Sequence, residues 1–224
     1  MRAILAAVLL IPTVSALAQL EGVSRSDATA ALRAALEKGS VAAVANLGRI
    51  DGFLGNPQVR IPLPESAQRA ERLMRRVGMG RYADELVVTM NRAAEAAVPE
   101  AKALFVDSVK KMTVQDAKGI LSGGDTAATE YFRRSTHDAL SKRLHPIVSN
   151  ATAQVELAAK YNEYADTAVA FGLVRKEDAN LDDYVTQKAL DGLFLMVAEE
   201  EKKIRKDPIG AASAIVRKVF GAIR

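Results

Sequence analysis

Ala189-Leu190-Asp191-Gly192-Leu193-Phe194-Leu195-Met196-Val197-Ala198 decides the fold. Asp191 is the only charged residue in this stretch. A helix that is apolar nearly all round cannot lie on a protein surface, so this one belongs at the centre of a bundle. It is too short to cross a bilayer, which takes roughly 20 apolar residues. Asn180 or Asp178 offers a side-chain cap at its start, and Glu199 to Lys206 forms a charged end that is expected to be solvated.

Outward from this centre the chain reads as helices. Alanine and leucine are plentiful, and no stretch alternates with period two. Upstream, Ser122-Gly123-Gly124 forms a break, Asp125 caps a long helix from Thr126, and Pro146 after Leu144-His145 predicts a kink or break before helix resumes to about Phe171-Gly172. Thr113-Val114-Gln115-Asp116 resembles a capping box for a short preceding helix. Further helices are expected from Pro99 to about Met112, from Arg81 to Val98 and from Glu65 to Val77, the last ended by Gly78 and Gly80. The first runs from a Ser24 or Ser26 cap to about Asn46, with Gly48 at its end.

Between the first two helices, Arg49 to Pro64 contains Gly52, Gly55, Pro57, Pro62 and Pro64, which forbid a long helix. Phe53, Leu54, Val59, Ile61 and Leu63 predict that this unusually long connection is extended and pinned to the core. Downstream, Asp207-Pro208 begins a final amphipathic helix. The expectation is all-α: residues 19–224 as a single multi-helix bundle, with an extended Pro/Gly-rich segment near the N-terminus.

Residues 1–18 read as a signal peptide. Arg2 supplies the positive start, Ala3 to Val14 the apolar stretch, and Ala16-Leu17-Ala18 the small residues for cleavage before Gln19. No cysteine occurs, which excludes a disulfide framework and a thiolate metal site. The net charge is +4, or +3 without Arg2, and acids and bases are interspersed. Nucleic-acid binding needs a concentrated basic stripe and is not expected.

Chemistry-bearing motifs are scarce. His137 and His145 are the only histidines, and they fall about 80° apart around a helix, so two surface histidines are expected and no metal site. Asp178-Ala179-Asn180-Leu181-Asp182 imitates a calcium loop, but Asp183 stands where glycine is required and Ala189 where a glutamate belongs. No nucleophile elbow and no phosphate loop is found, and no cofactor is expected. Glu199, Glu200 and Glu201 beside Lys202 and Lys203 read as a solvated ion-pair face.

Two constellations remain. Asn91, Arg92 and Glu95 share a helix, with Asn91 and Glu95 on one face, and together with Lys188 and Asp191 they form a candidate polar cluster. Asp191, in its apolar helix, needs a partner, and Lys188 is available. Gly123, Gly124, Asp125 and Arg133 form a candidate anion-binding turn at a helix start, where the competing reading is a simple capped hairpin.

Several segments together resemble an uncharacterised family of exported bacterial proteins, domain of unknown function 4197. They are Asp51-Gly52-Phe53-Leu54-Gly55-Asn56-Pro57, Met90 to Glu95, Leu121 to Asp125 with Tyr131-Phe132-Arg133, Tyr184 to Phe194, and Glu199 to Arg205. The resemblance implies a Gram-negative exported protein and brings no activity or ligand with it. The expected function is therefore a non-enzymatic periplasmic protein that binds an apolar small molecule or an envelope protein. The alternatives are an enzyme using the polar cluster, or an envelope assembly or chaperone-like factor. The final helix is expected to dock on its own bundle, with peripheral membrane contact as the other reading.

Overall fold

The structure is a computed structural model that describes residues 25–155, 158–159, 161–162 and 180–206. The expected leader, the Ser24 cap, residues 163–172 and the expected final helix from Asp207 lie outside what is described; Ser26 falls inside the first helix (Arg25–Leu47), and the helix through Pro146 ends at Thr152, short of the expected Gly172. The described residues contain no strand. In chain order the helices are α1 (Arg25–Leu47), α2 (Glu65–Arg76), α3 (Gly80–Ala97), a 3-10 turn (Val98–Glu100), α4 (Ala101–Lys111), α5 (Val114–Ser122), α6 (Ala127–Thr152) and α7 (Leu181–Lys206). The all-α bundle read from the sequence is the fold.

α7 carries the decisive apolar stretch and packs against α1, α3 and α6. Leu190, Leu193 and Phe194 on α7 are fully buried, as are Phe105 on α4 and Phe132 on α6. The Phe105 ring centroid lies 4.9 Å from that of Phe132 and 6.1 Å from that of Phe194, an aromatic cluster at the middle of the bundle. Asn180 Oδ1 accepts the backbone N–H groups of Asp182 (2.8 Å) and Asp183 (3.1 Å), which caps α7 as expected.

Several boundaries differ from the sequence reading. α6 passes through Pro146 without a break. Pro146 is exposed while Leu144 and Val148 on either side are fully buried, so tertiary packing of the flanks outweighs one missing backbone hydrogen bond. Asp125 does not cap α6; the N-cap position is Thr126, whose own side chain makes no capping hydrogen bond. Pro99 is the second residue of the 3-10 turn, and the new α-helix starts two residues later at Ala101. The Thr113–Asp116 capping box is present, with Asp116 N–H donating to Thr113 Oγ1 at 3.1 Å and Thr113 N–H donating to the Asp116 carboxylate at 2.9 Å.

Residues 48–64 form a strap across the bundle. Its first part is a chain of turns, closed by Gly52 N–H to Arg49 O (2.9 Å), Asn56 N–H to Phe53 O (3.1 Å) and Arg60 N–H to Asn56 O (2.9 Å). The last few residues carry no turn, and the last of them, Pro64, is extended at ψ 147°. Phe53, Val59, Ile61 and Leu63 are buried, so the apolar side chains pin the strap as their pattern predicts. Phe53 and Val59 rest on Gly192 of α7: a Cβ there would lie 2.8 Å from Phe53 Cε1 and 3.2 Å from Val59 Cβ.

Candidate functional site

The strap is held by the polar face of α3. Asn91 and Glu95 sit one turn apart, so both side chains meet the strap. Asn91 is fully buried and pairs with the peptide of Ile61 as a second peptide would: its Oδ1 accepts Ile61 N–H at 2.9 Å and its Nδ2 donates to Ile61 O at 2.9 Å. The same Nδ2 also donates to Val87 O at 2.8 Å. Burying an amide is tolerable only when it is matched in this way.

Glu95 is 4 % exposed. Its Oε1 accepts two consecutive backbone N–H groups, Phe53 at 3.0 Å and Leu54 at 3.1 Å. Its Oε2 accepts Arg92 Nη1 at 2.6 Å, and Arg92 Nη2 donates to Asp51 Oδ1 at 2.8 Å. Glu95, and after it Asp51, holds the Arg92 guanidinium more firmly protonated than usual. Asp51 lies at φ +64°, in the left-handed region that a non-glycine residue rarely adopts. The turn that brings Asp51 to Arg92 therefore stores strain, which the clamp offsets.

A second buried carboxylate lies at the start of α6. Glu201, 5 % exposed, accepts Ala128 N–H through Oε1 and Thr129 N–H through Oε2, both at 2.9 Å, and Thr129 Oγ1 at 2.8 Å. Arg205 donates to the Oε1 of Glu201 from Nε (3.1 Å) and Nη2 (2.8 Å), and its Nη2 also reaches Ile120 O at 2.9 Å. The backbone N–H groups at the start of α6 thus do hold an anion, and it is the chain's own glutamate.

The sequence candidates therefore separate. Asn91, Arg92 and Glu95 come together on the strap. Lys188 lies over the Tyr184 ring (5.6 Å), and half-buried Asp191 accepts from Gln187 Nε2 at 3.1 Å, with Arg133 Nη1 at 3.9 Å. The pairing expected between Asp191 and Lys188 is replaced by Gln187, one turn away on the same helix. Gly123, Gly124 and Asp125 stay exposed, while Arg133 stacks over Phe194 at 4.6 Å, so the anion-binding turn is not assembled from those residues. Glu199 and Glu200 pair with Lys202 (3.0 Å) and Lys203 (2.8 Å) as expected of a solvated face; Glu201 leaves that face for the core. Its signal was available, because Leu190, Phe194, Val197 and Glu201 fall on one stripe at helical spacing.

His137 stacks on Phe194 with ring centroids 6.4 Å apart, and His145 Nε2 lies 3.1 Å from Asp183 Oδ1. Among the described residues no group of three potential ligands could hold a metal. No described helix is long and apolar enough to cross a membrane. A cleft of about 540 Å³ opens where the end of the strap (Pro62, Leu63) meets α2 (Glu65, Gln68) and the start of α7 (Asp183, Lys188).

The fold and its clamps define a class: an all-helical bundle closed by a strap that two internal carboxylate and amide anchors hold in place. The chain belongs to the family described as Protein of unknown function (DUF4197), whose model matches residues 22–221. No curated protein and no solved structure gives a significant match.

Proposed function

We propose that this chain is a non-enzymatic binding protein of the bacterial envelope, exported to the periplasm, which engages its partner on its outer surface. One observation carries the reading: the buried groups of the α3 cluster, the Asn91 amide and the Glu95 carboxylate, are taken by the chain itself. Glu95 accepts two strap amides and a guanidinium, and Asn91 both gives to and accepts from one strap peptide. A catalytic acid or base needs reach to a substrate proton, and this carboxylate instead faces the strap backbone.

The test is fractionation and cross-linking in the native host. A photoreactive residue placed at exposed positions is expected to give a discrete adduct in the periplasmic fraction, on a chain beginning at Gln19. An intact precursor confined to the cell interior, or activity lost in Glu95→Gln with the fold unchanged, would contradict the reading.

The cleft beside the strap favours a second reading, a small-molecule carrier. Pro62, Leu63 and Tyr184 supply an apolar flank, while Glu65, Asp183 and Lys188 supply polar groups at its rim. Native mass spectrometry with lipid extraction of protein from its own host would reveal a co-purifying molecule. Protein that is free of one would remove this version and leave the first standing.

A further inference from the structure

Arg72-Leu73-Met74-Arg75-Arg76-Val77-Gly78-Met79-Gly80-Arg81-Tyr82 holds four arginines and no acid. These residues close the hairpin between α2 and α3. Gly78 makes the turn at φ +79°, where any other residue would be strained. Leu73 (58 % exposed), Val77 (70 %), Met79 (47 %) and Tyr82 (45 %) all stand in solvent at this one end. Leu73 and Val77 are one helical turn apart and share a face. Among the described helices α2 packs chiefly on α3, so the hairpin end reaches away from the aromatic core.

The arginines divide into two kinds. Arg75 is bound to Glu71 (2.9 Å) and to Asp84, and Arg81 lies over the Tyr82 ring at 5.6 Å. Arg72 and Arg76 are exposed and make no hydrogen bond or ion pair among the described residues. Uncommitted guanidiniums thus flank an uncovered apolar tip.

We propose that the α2–α3 hairpin end docks on an anionic phospholipid surface. Leu73, Val77 and Met79 enter the acyl boundary, Tyr82 lies at headgroup level, and Arg72 and Arg76 meet lipid phosphates. Two features favour lipid over protein. A specific protein interface covers about 800 Å² on each partner, more than four side chains at a turn present. A helical hairpin tip is also convex, and a fluid surface reshapes around a convex tip where a rigid partner needs a matching hollow. The proposal rests on the envelope reading only for placing the chain beside a membrane; the affinity itself is tested without it.

The experiment is flotation of the protein, as its own host processes it, with two kinds of vesicle. One is phosphatidylcholine alone, and the other contains about 30 mol% phosphatidylglycerol. The protein is expected to float with the anionic vesicles at low salt, and to be released as salt rises. Arg72→Gln with Arg76→Gln is expected to lower the partition coefficient roughly 10- to 30-fold. Leu73→Ser with Val77→Ser is expected to lower it by at least about tenfold. Val114→Ser, an exposed apolar residue elsewhere (53 %), should leave it unchanged, and circular dichroism should show all variants folded. Equal binding to neutral vesicles, no binding at all, or binding that both double variants retain would overturn the proposal; retained binding would move the contact to residues 207–224. A concentration-dependent dimer abolished by Leu73→Ser with Val77→Ser would also overturn it. A discrete protein adduct in the cross-linking experiment can appear whether or not vesicles bind, so failure here and failure of the envelope reading are separate results.

Discussion

Glu95 and Glu201 perform the same task in two parts of the molecule. Each is a buried carboxylate that accepts two consecutive backbone N–H groups and an arginine from its own helix. Their surroundings differ. At the start of α6 the N–H groups belong to the first turn of a long helix, where the dipole favours an anion, and Thr129 adds a hydroxyl. Arg205 is itself mostly buried, with a side chain 16 % exposed, and has a second acceptor in Ile120 O. At the strap the N–H groups belong to a turn, and Arg92 is 39 % exposed and shared with the exposed Asp51. The first network is closed; the second has one side in water. A buried ion pair contributes stability only when every lone pair and donor is matched, and the cost of breaking it depends on what the orphaned partner can reach.

That difference orders the expected effects of substitution. Glu201→Ala should be the most damaging, because Arg205 and the first-turn N–H groups of α6 lose their anion inside the protein. A loss of about 3–5 kcal/mol in urea unfolding is expected. Glu95→Ala should cost less, about 2–3 kcal/mol, since Arg92 retains Asp51 and gains water while two strap amides are left unmet. A Glu95→Ala loss larger than that of Glu201→Ala would break the comparison.

Gly192→Ala sharpens it. The added methyl would press on Phe53 and Val59, and about 1–3 kcal/mol is expected from overpacking. In a Glu95→Ala background the strap is free to retreat, so the double variant should lose less than the sum of the two single losses.

The smallest effect lies far from both anchors. Thr113→Ala removes the α5 cap and should cost about 1 kcal/mol. The Thr113 hydroxyl and backbone N–H hold the Asp116 carboxyl below the usual carboxylate range. A depressed folded value means that the cap contributes above the unfolded value and fades as pH falls through the folded one. An NMR titration of Asp116 should therefore show a low midpoint that rises towards the ordinary range in Thr113→Ala.

How much of this was legible in the sequence depended on range. Local signals were readable: the all-apolar stretch around Phe194, the capping box at Thr113, the pinned strap, and the shared face of Asn91 and Glu95. Long-range pairing was not. Glu201 stands in a run with Glu199, Glu200, Lys202 and Lys203, where three- and four-residue spacing supplies a local partner for every acid. Only its phase on the buried stripe of α7 distinguishes it. Asp191 misled in the opposite direction: its helix is apolar, yet its own position faces out towards Gln187 and Arg133. Of the kink or break that Pro146 promised, the break is overridden by the burial of Leu144 and Val148. Asp51 gave no signal, because its role depends on a left-handed turn that composition does not reveal.

Native-state hydrogen exchange at Phe53, Leu54 and Ile61 tests the central claim most directly, namely that the α3 polar cluster is an internal anchor for the strap. The account predicts that all three amides exchange only through large-scale opening, and that Glu95→Ala releases Phe53 and Leu54 while Ile61, held by Asn91, stays protected. Rapid exchange of Phe53 and Leu54 in the unaltered protein would mean that Glu95 is not committed to the strap, and would contradict the account.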